Sequence, residues 1–457
     1  MTESLSVEPA SSGSLNRTGQ ILVLASAFLG WMFAGWQMSL VPLVARAATI
    51  QMVRSEVEAN VAAQAATDVI DADELKQQTD QALDTAVTRW FTLYIAAFLF
   101  GAAAGGWIFG WYADRAGRVK AMAISIAWYS VLTGLSCFVR SPFELCVMRF
   151  IACMGIGGMW PAGVALVSEA WPDVSRPTLA GLIGAAANVG IALMGIVIGW
   201  VGDLAPEWQL TEHAWRWTTV ISAAPVLLAV FVLVAVPESP LWLATRNAAG
   251  STVAPLQQVL RPPLLKLTLI GIALGAIPLL GAWGSQKWLI PWAAKVGAGL
   301  GNERLKADVN TVWAIGATLG SLCGGWVATW IGRRTTYFLV SLGSLILAGW
   351  IFRFLDPSMG WKFMVPVFTL GFVATIYFGW LPLYLPELFP TEVRATGSGV
   401  SFNSGRVISA AVILSTTGLA DYFGNDFARI GGFTSWIYVA GMIVILFLPA
   451  THKGIRT

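Results

Sequence analysis

Charge is scarce in this chain. Only 12% of its 457 residues are Asp, Glu, Lys or Arg, about half the share in an average soluble domain. Hydrophobic residues make up 56%, and mean hydropathy is +0.68. No water-soluble fold hides that much apolar surface behind so few charges, so the chain reads as an integral membrane protein. Net charge is +3 and scattered, which speaks against a nucleic-acid partner. The two histidines, His213 and His452, lie near hydrophilic segments, so no His-ligated metal centre is expected inside the membrane. The four cysteines (Cys137, Cys146, Cys153 and Cys323) sit in apolar stretches without zinc-site or disulfide spacing. They read as small hydrophobes in helix packing. The spans hold no nucleophile–base pair, so an intramembrane enzyme is not expected, and neither is a cofactor.

What the chain has in abundance is long apolar runs. A bilayer-crossing helix needs about 20 mostly apolar residues. Such runs lie near 20–45, 89–111, 121–138, 143–170, 177–202, 216–236, 265–294, 309–331, 335–354, 363–386, 396–420 and 431–449. The fold class is therefore an all-α membrane protein of twelve transmembrane helices. Residues 1–19 are rich in Ser, Thr and Asn and lack the basic start and cleavage site of a signal peptide, so a disordered tail is expected. Basic residues do not orient the chain. With both termini on one side, that side carries 13 Lys/Arg and the other 12.

The chain repeats itself. Gly105-Gly106-Trp107 with Trp111 recurs as Gly324-Gly325-Trp326 with Trp330, 219 residues on. Glu169, Pro172 and Arg176 recur as Glu387, Pro390 and Arg394, 218 residues on. Gly35, Gln37, Leu40, Pro42, Ala45 and Arg46 match Gly284, Gln286, Leu289, Pro291, Ala294 and Lys295, 249 residues on. Two six-helix halves follow: residues 20–236 and 265–450, joined by a linker at 237–264 on the same side as the termini and ending in a tail at 451–457. An even number of spans per half gives both halves one orientation. The change of offset from 249 to 219 marks an insertion of 30 residues between the first two spans. Residues 50–88 fit it. Ile50, Val53, Val57 and Val61 keep helical spacing, with a break near Asp71-Ala72-Asp73. A small helical cap on the outer face is expected.

Three motifs carry a family resemblance. Gly110-Trp111-Tyr112-Ala113-Asp114-Arg115-Ala116-Gly117-Arg118-Val119-Lys120 resembles the signature between the second and third helices of the major facilitator superfamily. Pro237-Glu238-Ser239-Pro240 resembles the motif after the sixth helix of its sugar porters and organic-ion transporters, and Pro386-Glu387-Leu388-Phe389-Pro390-Thr391-Glu392-Val393-Arg394 the turn between helices 10 and 11. The resemblance implies cytoplasmic termini in a cell (inner) membrane and a monomer that rocks its halves about a midplane site. It also implies a cytoplasmic charge latch between the halves, using Gly110, Asp114, Arg115, Gly117, Arg118, Glu169, Arg176, Glu238, Glu387 and Arg394. The second copy, Ile331-Gly332-Arg333-Arg334, is shorter and lacks the Asp-Arg pair, so its latch should be weaker.

Ionisable residues inside spans are costly and usually functional. Three lie away from span ends: Arg149, Lys287 and Arg406, all cations. No span carries a central acid. In the sugar porters a first-helix acid couples protons and pairs with the fourth-helix Arg; here Gln37 stands at that place. Arg149 then lacks its partner, and a substrate anion or water should offset it. The repeat pairs Gln37 with Gln286 and Asn188 with Arg406 about the central cavity. Trp160, Tyr377 and Trp380 fall mid-span and are candidate cavity walls, although packing is their commoner role. The expected substrate-binding set is Gln37, Arg149, Asn188, Gln286, Lys287, Arg406, Trp160, Tyr377 and Trp380. Guanidinium groups suit carboxylates, so the expected solute is a small organic anion moved by uniport or exchange. The alternatives are a proton-coupled symporter of a sugar or drug, with coupling at Glu144 or Asp308, and a non-transporting sensor that uses the outer cap.

Overall fold

The computed structural model describes residues 15–65, 71–171, 176–204, 214–245, 255–390, 394–415 and 422–447. Its long helices are α1 (Arg17–Ala65), α2 (Ala72–Ala116), α3 (Arg118–Leu135), α4 (Pro142–Ala170), α5 (Arg176–Leu204), α6 (Ala214–Ala235), α7 (Leu264–Gly299), α8 (Leu305–Trp330), α9 (Arg333–Phe354), α10 (Trp361–Glu387), α11 (Arg394–Ser415) and α12 (Phe427–Phe447). Eleven of them have the length and apolarity to cross a bilayer. The exception is α11, where Ser401, Asn403, Arg406 and Ser409 are buried inside the bundle and lower its hydropathy. Together they form the twelve-helix architecture expected of the sequence. Alternation along the chain defines two ends: the proximal end, where α1 starts, and the distal end, where α1 and α2 meet.

Two corrections to the sequence reading fall at the start of the chain. Residues 15–19 are not tail: the Asn16 Oδ1 accepts from the Gly19 N–H at 2.8 Å and caps α1. The insertion is not a separate cap either. α1 has 49 residues and α2 has 45; at 1.5 Å per residue each runs roughly 70 Å, over twice the hydrocarbon thickness. The extra sequence lengthens both helices past the distal end as a hairpin. Its break falls where the Asp/Ala pattern placed it, with the Asp71 carboxylate accepting the Glu74 N–H at 2.7 Å. Val53, Val61, Leu83 and Val87 are buried along it, and the Trp215 indole donates to Gln51 at 2.6 Å.

Glycine sets the closeness of the helices. A Cβ at Gly35 would overlap the carbonyl of Ala187, and one at Gly190 the carbonyl of Met32, so α1 and α5 touch backbone to backbone. Gly190→Leu is therefore expected to cost at least about 1–3 kcal/mol by overpacking. The measurement is thermal stability with size-exclusion profile in detergent; an unchanged melting temperature would contradict this packing.

Between the halves, α5 runs along α8 and α2 along α11. Asn188 Nδ2 donates to Ser321 Oγ at 3.0 Å, Asn310 Nδ2 to the Ile191 carbonyl at 3.0 Å, and Arg406 to the Ala102 carbonyl at 3.2 Å. The distal ends are held shut by Asp84 with Lys295 at 2.5 Å, Asp203 with Arg304, and Asn425 donating to Thr85 at 2.7 Å. Phe91 packs on Trp288 just beneath.

Candidate functional site: a cationic cavity with aromatic walls

The site is built on irregular helix. α7 is α-helical over Leu264–Leu279, opens into a π turn at Leu280–Ser285, tightens to a 3-10 turn at Gln286–Trp288 and resumes at Leu289. Pro278 and Pro291 each remove a ladder donor there. Such turns re-aim side chains at functional places. Here they put Trp283 and Lys287 on the central cavity. α6 and α12 are also interrupted, at 222–225 and 435–436, in matching positions of the two halves.

The cavity has a volume of about 100 Å³ and lies between the halves. Its walls are largely aromatic: Trp31, Phe98, Trp160, Trp283, Trp313, Phe378 and Phe402. Trp31 and Trp160 pack with ring centroids 4.7 Å apart, and Phe98 and Trp283 at 4.4 Å. Asn188 and Thr375 add polar groups. Among the described residues, the charged ones that line the cavity are Lys287 and Arg406, both cations, and none is a carboxylate. The Lys287 ammonium lies 4.7 Å from the Trp313 ring and 5.3 Å from the Trp283 ring. These faces give it about 0.5–2 kcal/mol of cation–π attraction, and among the described residues it donates to no oxygen. The Arg406 guanidinium donates to the Ala102 carbonyl and Asn403 Oδ1, each at 3.2 Å, and lies 4.8 Å over Phe402. Two buried cations without an acid leave a positive potential that water or a bound anion must answer.

Four of the nine expected binding residues line this cavity: Asn188, Lys287, Arg406 and Trp160. The other five are placed elsewhere, each for a visible reason. Arg149 turns to α1, donating to the Gln37 carbonyl at 2.7 Å and the Met38 carbonyl at 3.1 Å. Pro42 has no N–H to offer Met38, so the guanidinium satisfies an acceptor that the proline orphaned. Gln37 and Gln286 are equivalent, as the repeat requires, but both look away from the cavity. Gln37 Nε2 donates to the Ser222 carbonyl in the break of α6 at 2.6 Å. Gln286 donates to the Tyr438 hydroxyl of α12 at 2.6 Å and accepts from the Trp313 indole at 2.7 Å. Tyr377 and Trp380 belong to the proximal core of the second half, with Tyr377 against Tyr337 at 4.7 Å and Ser341 at 2.5 Å. The coupling alternatives lie at the distal end. Glu144 accepts the Arg140 N–H at 2.7 Å, and Asp308 pairs with Arg304 at 3.3 Å.

The sequence reading missed Trp31, Phe98, Trp283 and Trp313. One signal was present: Trp283 and Lys287 stand four residues apart, a spacing that stacks a cation on a ring. Nothing in the sequence distinguished Trp313 from the other 22 tryptophans.

At the proximal end, the Glu238 carboxylate accepts the backbone N–H groups of Arg118 and Val119 at 3.0 and 3.2 Å, capping α3. Arg118 donates to the Ala113 carbonyl at 2.8 Å and approaches Glu169 at 3.5 Å. These contacts tie α2, α3, α4 and the chain after α6 within one half. Gly117 is needed for its φ of +110° and because a Cβ would meet Glu238. Gly110 faces open space, so it permits no close approach. Arg115 lies 4.1 Å over Trp111. The side chains of Asp114, Arg176, Glu387 and Arg394 lie outside the described residues, as do His213, His452 and residues 451–457.

The major facilitator superfamily model matches residues 23–414, and the chain belongs to that family. It is a multi-pass membrane transporter of small solutes, not an enzyme. It is 28% identical over 365 residues to a cis,cis-muconate transport protein of Acinetobacter baylyi, covering 77% of this chain and 83% of that one. A gallate transporter of Pseudomonas putida is 26% identical, covering 68% and 73%. Among solved structures, a D-xylose-proton symporter superposes with a TM-score of 0.65 at 18% identity, covering 93% of this chain and 96% of that one.

Proposed function

We propose that the protein carries a small organic anion across a cell (inner) membrane by alternating access, with both termini cytoplasmic and the distal end facing outward. The observation that carries this reading is the pairing of Lys287 and Arg406 in an aromatic-walled cavity with no lining acid. An organic carboxylate has what both parts ask for: charge for the cations and flat apolar surface for the rings. The relatives whose names refer to muconate and gallate support the same class. Asp84, Lys295, Asp203 and Arg304 then form the closed outer side.

Uniport or exchange fits better than proton symport. Gln37 cannot titrate, and the cavity is lined by cations that repel a coupling proton. Glu144 and Asp308 are engaged at the distal surface.

Counterflow in proteoliposomes tests the substrate class. Vesicles preloaded with unlabelled cis,cis-muconate or gallate are expected to accumulate the labelled acid transiently, and vesicles preloaded with D-xylose are not to accumulate labelled xylose. Counterflow of xylose without counterflow of either acid would contradict the reading.

A further inference from the structure

Where the hairpin leaves the bundle, one acid lies at the place where, among the described residues, the two halves meet through ions on the α2 side. Asp84, near the base of the hairpin, is 8% exposed. Its carboxylate bridges two cations: Arg46 of α1 at 2.7 Å through one oxygen and Lys295 of α7 at 2.5 Å through the other. Arg46 and Lys295 are repeat equivalents, so the pseudo-axis sets them face to face, and Asp84 falls opposite Glu303 at the 219-residue offset. Beside this triad opens a vestibule of about 450 Å³. Its charged lining is Arg46, Arg54, Lys295 and Lys306 against Asp80, Asp84 and Glu303. Lys306 approaches Glu303 at 3.7 Å, and Arg54 approaches Glu58 on the outer surface at the same distance.

We propose that Arg46 and Lys295 form a second carboxylate-binding site in this vestibule, at which a small organic carboxylate from outside exchanges for Asp84 and so unfastens α2 from α7. The proposal rests on the organic-anion reading above. Opening the distal side without a replacement leaves Asp84 with Arg46 in the first half and strips Lys295 of its carboxylate, which is unfavourable by the lost pairing. Exchange of one carboxylate for another conserves the pairing, so only solutes that carry a carboxylate lower the barrier. The same ion triad then both closes the outer side and selects what opens it. A sugar or an amine of equal size has no group to trade for Asp84.

The test is ¹⁹F NMR titration of 4-fluorobenzoate into the purified full-length chain in nanodiscs. Asp84→Asn keeps the shape of the side chain and frees both cations. It is expected to tighten binding at a site insensitive to Arg406 by about tenfold. The gain should persist in Asp84→Asn/Arg406→Ala and disappear in Asp84→Asn/Lys295→Gln, where half-exposed Lys295 loses charge but little packing. Three outcomes would overturn the proposal: no gain in Asp84→Asn, a gain that survives Lys295→Gln, or a gain that vanishes with Arg406→Ala. Failure of the central-site reading is separate, because it appears as the absence of any Arg406-dependent component in the wild-type titration.

Discussion

Lys287→Met is expected to abolish acid transport while raising the melting temperature of the substrate-free protein. The two signs are opposite because the ammonium is buried among aromatic faces with no acceptor among the described residues. Replacing an uncompensated buried charge by an apolar side chain of similar length is often neutral or stabilising, by about 1–4 kcal/mol. The bound acid loses one of its two cations. Arg406→Ala should lower affinity by about 2–5 kcal/mol, or roughly 30- to several-thousand-fold. Its effect on stability is less favourable than that of Lys287→Met, since the Ala102 carbonyl and Asn403 lose a donor. Binding titration alongside thermal unfolding without ligand checks both. A Lys287→Met protein that is less stable and still transports the acid would contradict this account of the cavity.

Arg149→Met is expected to behave in the opposite way. The side chain does not line the cavity; it serves the carbonyls of Gln37 and Met38 on α1. Removing it leaves the Met38 carbonyl buried without a donor, at a cost of about 1–3 kcal/mol, and α1 loses its brace at Pro42. Pro42→Ala in the same chain restores an N–H four residues after Met38, so the double variant should recover most of the lost stability. Ligand-induced stabilisation by the acid should survive in Arg149→Met protein that remains folded. The check is a double-mutant cycle of melting temperatures with and without acid. Independent, additive effects of the two substitutions would show that Arg149 does not answer the proline.

This cycle also shows where sequence reading stopped. Apolar runs of bilayer length placed all twelve long helices by composition, α11 among them despite its buried polar residues, because a membrane imposes that length whatever the packing. The three offsets divided the chain into halves because duplicated backbones keep their glycines and prolines. The same offsets paired Gln37 with Gln286, yet could not tell which way a helix face turns. Both amides turn to the breaks in α6 and α12 instead of the cavity. Lys287 was legible as a buried cation, but its aim depends on the π turn at Leu280–Ser285, which no periodicity announces. Arg149 looked like Arg406 in sequence. The difference lies in Pro42, which is distant in the chain and adjacent in space. The inserted segment was visible as 30 extra residues, and the break before its second helix as Asp71. Its long reach past the bilayer and the bridge from Asp84 are tertiary facts.

The most direct measurement of the central claim is a tryptophan-fluorescence titration with cis,cis-muconate and gallate, since Trp31, Trp160, Trp283 and Trp313 all line the cavity. Wild-type protein should show a saturable change with at least one acid and none with D-xylose, and Lys287→Met/Arg406→Ala should show no saturable change with either acid. Equal saturable binding of an acid by wild type and by the double variant would contradict the claim that these two cations hold the substrate.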